Sequence, residues 1–284
     1  MPLPPKVFDR DLIARHLGRR PKDADDFVTR LVLDDLAARL IAITRPFDRA
    51  LIMAPDAGGL PGRGQSATGS FSFDRVATAI ASADAPLVDP EALLLPRDDY
   101  QLIVSILDLQ VTNDVPGFLA RVRAHLQPDG LFIAAALGGD SLTELRQAFL
   151  TADAEIMGGA FARVAPFIPL SAAGGLLQRA GFSLPVTDVE THIVRYGSPL
   201  ALMRELKRLG ASNPLAERPG RPATQRLVAM ASAAYSAAAG DPDGRVRATL
   251  EIVWMSGWAP HESQQQPLAR GSAKISLKDV LGKK

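Results

Sequence analysis

The chain has 284 residues, room for one large α/β domain or two small ones. Its 32 Lys and Arg against 31 Asp and Glu leave a net charge of +1, which argues against a surface built for nucleic acid or membrane. With no cysteine and only four histidines, disulfides, thiolate nucleophiles and Cys-based zinc sites are excluded, and no metal centre is expected.

The opening segment MPLPPKVFDRD lacks an apolar core, and no apolar run approaches the ~20 residues of a membrane helix. A cytoplasmic protein without a membrane span is therefore expected. Asp25 to Ile43 reads as a helix, because Phe27, Leu31, Val32, Leu36, Leu40 and Ile43 recur at three- and four-residue spacing. A short strand follows at Arg49 to Met53, then a Gly- and Pro-rich stretch, Ala54 to Gln65, that reads as a loop. Phe71 to Ala83 is ambiguous. FSFDRV alternates like a half-buried strand, while AIASA suits a helix.

LIVSIL, Leu102 to Leu107, reads as a buried strand, and Pro116 suits the first turn of the next helix. Gln127-Pro128-Asp129-Gly130 predicts a turn into the strand Leu131 to Leu137. Ser141 and Glu144 fit a capping box for a helix running to about Ile156. Ala172 to Ala180 is a further helix, ended by Gly181, and Val186 to Tyr196 a strand. Ser198 to Leu209 has Ser198 as its cap, Pro199 just inside and Gly210 just beyond. Asn213 to Pro222 reads as an exposed connection, Thr224 to Ala239 as an Ala-rich helix and Ala248 to Trp258 as a last strand.

Strands alternating with helices imply parallel βαβ units. The expected architecture is α/β: a single domain over 1–284, with a doubly wound, mostly parallel sheet. A helical extension over 1–44 precedes it, and a helical insertion over 198–240 precedes the last strand.

An ordered set of short motifs is more specific. They are Asn113-Asp114, Pro128-Asp129-Gly130, Gly138-Gly139-Asp140, Glu144-Leu145-Arg146, Gly158-Gly159, Arg163-Val164-Ala165-Pro166-Phe167, Leu177-Gln178-Arg179-Ala180-Gly181-Phe182, Gly257-Trp258, Pro260-His261-Glu262-Ser263-Gln264 and Gly271-Ser272-Ala273. In this set the chain resembles class I S-adenosylmethionine (SAM) methyltransferase-like proteins. The resemblance is to the subfamily of the mitochondrial complex I assembly factor 5 and its α-proteobacterial relatives. More distantly, it is similar to the malonyl-carrier-protein methyltransferase of biotin synthesis. The resemblance implies a class I methyltransferase fold and SAM as cofactor. It implies methylation of a carboxylic or protein substrate or, as in the assembly factor, hydroxylation of an arginine on a complex I subunit, which would be the partner.

Set beside the family's D-x-G-x-G-x-G, the segment Ile52-Met53-Ala54-Pro55-Asp56-Ala57-Gly58 keeps only Gly58. Ile52 stands at the acid position, while Ala54 and Asp56 stand at glycine positions where backbone should approach the ligand. Asp56 could supply the carboxylate from a shifted place, or the segment could be a surface loop that no longer binds SAM. Asp74 is the nearest candidate for the acid that holds the ribose hydroxyls, against a reading as a helix-start residue. Asp89, in Asp89-Pro90-Glu91, resembles the residue that faces the adenine amino group, and it equally fits an N-cap.

The family's L-H-W-V-N-D becomes Leu109-Gln110-Val111-Thr112-Asn113-Asp114, without either aromatic ring. Asn113 and Asp114 then serve a substrate or cap the next helix. Gly138, Gly139 and Arg146 are expected at a ligand or partner site, with Arg146 clamping an anion or joining a surface pair. Trp258 and His261 are expected nearby, as an apolar wall and a proton carrier or as a partner-facing pair. No catalytic residue is singled out. Two functions remain open: a SAM-dependent enzyme, and a non-catalytic binding module of complex I assembly that has lost SAM.

Overall fold

The computed structural model describes residues 6–220 and 222–265. The family-like Gly271-Ser272-Ala273 and the opening residues 1–5 lie outside the described residues.

Two helices come first, α1 (Arg10–Gly18) and α2 (Phe27–Ile41). Each is capped by an aspartate: Asp9 accepts from Leu12 N and Asp26 from Thr29 N, both at 3.0 Å. Helix α1 falls within the helical extension expected over 1–44, where the apolar spacing had marked only the helix from Asp25 to Ile43. Its apolar content is small: Leu12 and Ile13 are buried, and Leu17 packs half-buried beside them.

The strand β1 (Ala50–Asp56) runs on past Met53 into a 3-10 turn at Ala57–Gly59. It is followed by β2 (Arg63–Ser66), which forms an antiparallel hairpin with β3 (Gly69–Ile80). The stretch Ala54 to Gln65 is therefore half strand, with a loop between Ala57 and Gly62, and the ambiguous Phe71 to Ala83 is a strand as far as Ile80. Alternation decided the latter, since Phe71, Phe73 and Val76 are buried against the sheet's flank. The connection between the parallel neighbours β1 and β3 carries no α-helix.

The remaining elements are β4 (Tyr100–Ile106), α3 (Val115–Ala124), β5 (Leu126–Leu137), α4 (Thr143–Met157), α5 (Leu170–Arg179), β6 (Ser183–Tyr196), α6 (Pro199–Arg208), α7 (Gln225–Ala239) and β7 (Val246–Trp258). They build a seven-stranded sheet of order β2-β3-β1-β4-β5-β7-β6. Its centre is parallel, whereas β7 runs antiparallel to both β5 and β6. This is the doubly wound, mostly parallel sheet that the class I methyltransferase resemblance implies. The α6–α7 insertion lies where expected, before the last strand.

Alternation along the strands feeds two cores. Leu51, Met53, Ile103, Phe132 and Met255 face α3 and α5, while Ile52, Leu102, Val104, Ile133 and Trp254 face α2. Helix α2 is fastened to β7 by two arginines. The Arg39 guanidinium lies 4.5 Å from the ring centre of Trp254, and that of Arg45, just past the helix, lies 4.6 Å from Trp258. Among the described residues no helix is long and apolar enough to cross a membrane.

Two local expectations are corrected. The Ser141–Glu144 pair is not a capping box. Ser141 Oγ exchanges hydrogen bonds with the backbone of Glu251, and the Glu144 carboxylate accepts from Thr249 N and Oγ1 at 3.1 and 2.6 Å. Both side chains are drawn from the helix end to β7, and Leu142, at φ 55°, takes the cap position. Nor is Asn213 to Pro222 simply an exposed connection. Leu215 is buried and pairs with Phe8, and Asp9 N donates to Pro214 O at 2.9 Å.

Candidate functional site

In a doubly wound sheet, ligands gather at the carboxyl ends of the parallel strands. Here those ends open into a cavity of about 1250 Å³. Its floor is Ala54 to Asp56 of β1, Ile80 of β3, Ile106 and Leu107 after β4, and Leu137 of β5. Helices α1, α2 and α6 and the segment Ala211–Pro214 close over it. The walls are mostly apolar, with Phe27, Phe149, Phe167, Tyr196 and Met203 among them. Polar groups enter at His16, Arg20, Asp56, Gln110 and Arg163. Two of these carry buried atoms without a partner among the described residues, Gln110 Oε1 and His16 Nδ1. Burial holds the His16 imidazole below its ordinary value of 6.5, and the nearby Arg19, Arg218 and Arg15 act in the same direction.

Of the residues expected to hold a cofactor, Ala54 and Asp56 line this cavity. The Asp56 carboxylate is engaged on both oxygens. Oδ1 accepts from Gly58 N at 2.9 Å within its own turn, and Oδ2 is paired with Arg20, which also reaches Asp26 at 3.0 Å. Gly58 thus closes an Asx-type turn. Ile52, at the acid position, is fully buried in the core.

Asp74 is elsewhere. It sits in the middle of β3, in register with Leu51 near the start of β1 and six residues before the Asp56–Ile80 pair at the ligand end. At ~3.3 Å per residue that is about 20 Å away. Its partner is the buried Tyr100, whose hydroxyl donates at 3.0 Å and is itself pushed up by burial and by the Asp74 charge. Neither a ribose site nor a helix start fits this position.

Asp89 caps a single 3-10 turn, accepting from Glu91 N at 2.9 Å. Glu91 in turn accepts from Asn113 N and Asp114 N at 2.7 and 3.0 Å. Asp114 caps α3 through Gly117 N at 2.9 Å. Asn113 grips the backbone of Phe8, accepting from its N–H at 2.7 Å and donating to its carbonyl at 3.3 Å. These four residues form one strut that fixes the N-terminal segment over the sheet edge.

The second expected cluster comes apart. Gly138 is small for the sake of β7: a Cβ there would stand 2.2 Å from Glu251 Oε2. Gly139 is packed against Pro169. Arg146 donates to the carbonyls of Ser141 and Ala165 at 3.3 and 3.4 Å, tying the α4–α5 connection to the end of β5. Trp258 and His261 lie at the opposite edge. Because β7 is antiparallel to β5, Trp258 pairs with Leu131 midway along that strand, about 23 Å from Gly138 and away from the ligand end. There Asp129 accepts from Gln264 Nε2 at 2.8 Å and pairs with Arg45, so the Pro128-Asp129-Gly130 and Pro260-to-Gln264 motifs lock together. His261 is exposed; among the described residues its ring bonds Ser263, and its carbonyl accepts from Gln264 N at 3.1 Å.

The strongest polar feature at the ligand end was not expected. Asp108 follows β4, is fully buried, and accepts from Thr78 Oγ1 at 2.7 Å. Burial pushes its carboxyl up, against the pull of Arg10 at 3.8 Å. Local pattern gave no sign of it, because Arg10 and Thr78 come from distant parts of the chain.

No family model matches the chain. It is 37% identical over 212 residues to the protein named arginine-hydroxylase NDUFAF5, mitochondrial, of Danio rerio, covering 74% of this chain and 65% of that one. It thus spans just under two thirds of that relative's length. To the human protein of the same name it is 33% identical over 290 residues, covering 98% of this chain and 84% of that one. To the malonyl-[acyl-carrier protein] O-methyltransferase of Halorhodospira halophila it is 35% identical over 192 residues, 68% of this chain and 63% of that one. Among solved structures it is similar to the YcgJ protein of Bacillus subtilis, with a TM-score of 0.47 at 10% identity, over 82% of this chain and 99% of that one.

Proposed function

Since the chain belongs to the NDUFAF5 family, which it matches along most of the human member, we propose that it serves respiratory complex I assembly as a binding module. It receives a segment of a complex I subunit at the ligand edge of the sheet and does not use SAM. The observation that carries this reading is the state of Asp56. The one carboxylate at the end of β1 already satisfies Gly58 N and Arg20. Binding the methionine ammonium there would mean giving up a charge-assisted partner, a loss of ~1.5–3 kcal/mol or about ten- to hundred-fold in affinity.

Two further features support it. The β1–β3 connection offers no helix N-terminus to the ligand. The long, largely apolar cavity suits an apolar peptide segment with a few polar anchors.

A second reading keeps catalysis, either methyl transfer or the arginine hydroxylation after which the relatives are named. The size of the cavity, about 1250 Å³, favours it.

Titration calorimetry on the purified protein separates the two. We expect no SAM or S-adenosylhomocysteine binding up to about 1 mM, a bound of about −4 kcal/mol, while the protein captures a peripheral complex I subunit. Micromolar SAM affinity would overturn the module reading, and so would failure to capture any peripheral subunit.

A further inference from the structure

Arg10 is the first residue of α1, and its side chain reaches back to the ligand edge of the sheet. Nη2 donates to Thr78 O at 2.5 Å and Nη1 to Val111 O at 3.1 Å. Nη1 also lies 3.8 Å from Asp108 Oδ1, too far for a hydrogen bond. Asp108 has no exposed surface, and its other oxygen, Oδ2, has no partner among the described residues.

The walls of this pocket are acceptors: two carbonyls and a carboxylate. Only a donor-rich cation satisfies such a set, and a guanidinium presents five N–H groups in a fixed fork. Arg10 fills the place without completing it, because a buried carboxylate oxygen remains unsatisfied, which proteins rarely tolerate without a reason. The backbone that delivers Arg10 is held by replaceable polar contacts. They are the Asn113 grip on Phe8, the Asp9–Pro214 bond at 2.9 Å, and an Asp9–Arg218 pair at 3.3 Å.

We propose that the pocket formed by Asp108, Thr78 O and Val111 O is a guanidinium site that the chain occupies with its own Arg10. The segment Phe8–Arg10 is then a plug, displaced when an arginine of an incoming protein segment takes the same acceptors and reaches Asp108 Oδ2. The plug presupposes that this edge receives a protein segment, as proposed above, but its test involves neither SAM nor the natural partner.

The test uses the full chain and N-acetyl-arginine N-methylamide as probe, with the lysine analogue as control. In thermal denaturation, about 20 mM of the arginine probe should raise the Tm of Arg10→Ala by about 3–6 °C if it binds that variant with a Kd of about 2 mM. Wild type should shift by less than a third of that. The lysine probe and the double variant Arg10→Ala/Asp108→Asn should show no shift. A folded Arg10→Ala that does not respond, or equal shifts in all three proteins, would overturn the plug. If Arg10→Ala does not fold, hydrogen exchange in the wild type decides. Faster exchange of the Phe8 and Asp9 amides with the arginine probe supports displacement, and unchanged exchange refutes it. Failure here, with subunit capture intact and SAM still unbound, would remove the plug and leave the binding module standing.

Discussion

Arg163 offers the sharpest test of how the cavity wall is held. Its Nε and Nη2 each donate at 2.7 Å to the two oxygens of Asp153 on α4. Asp153 has no exposed surface, and the Arg163 side chain is 13% exposed. The guanidinium also sits 5.8 Å from the rings of both Phe149 and Phe161. Replacing Arg163 by Leu keeps most of the bulk but strands a buried carboxylate, which costs ~3–5 kcal/mol. The lost cation–ring contacts add about 0.5–1 kcal/mol. For a protein of this size each kcal/mol lowers the Tm by about 2–4 °C, so the fall should be about 7–24 °C in calorimetry. The decisive arm is the double variant Arg163→Leu/Asp153→Leu. Removing the stranded charge as well should recover most of the loss, because an apolar pair of similar size replaces a buried ion pair at little cost. The reasoning is refuted if Arg163→Leu costs under about 1 kcal/mol, or if the double variant is no more stable than the single one.

Two further outcomes follow from the same physics. Glu144→Ala should destabilise by about 1.5–3 kcal/mol by freeing Thr249, whose N–H and hydroxyl it accepts. Hydrogen exchange should then quicken at Thr249 in β7 and not at the first turn of α4; the opposite pattern would restore a helix-capping role. His16 is held below its ordinary 6.5 by burial, so the unfolded chain binds more protons and stability falls as pH drops from about 7 towards 5. In urea titrations at pH 7.5, 6.5 and 5.5, His16→Gln should flatten that fall; an unchanged slope would exclude His16 as its source.

Much of the fold was legible along the chain because its cause is local. Ser198, Pro199 and Gly210 bracket α6 through a cap, a fixed φ and a left-handed turn at φ 75°. The short, almost wholly apolar run LIVSIL reads as a strand, and Leu102 to Ile106 lie buried on both faces of the sheet. The motif order around Gly138 and Trp258 also carried the family. Elsewhere a distant partner overrides the local pattern. Ser141 and Glu144 satisfy a capping pattern in sequence, yet β7 offers them backbone partners 105 to 110 residues away. A side chain answers to whichever partner lies nearer in space.

Sequence alone thus determined the α/β alternation, the placement of the insertion and the family, since these rest on periodicity, turn chemistry and motif order. It also marked the altered stretch Ile52 to Gly58. Only the tertiary structure decided which marked residues meet. Antiparallel pairing of β7 carries Trp258 and His261 to the edge away from Gly138, and the register of β3 leaves Asp74 far from Asp56. It also brings Arg10, Thr78 and Asp108 together from three distant segments, at sequence separations of 30 to 98. Contacts of that separation leave no periodic trace, because their geometry exists only once the sheet has closed around them.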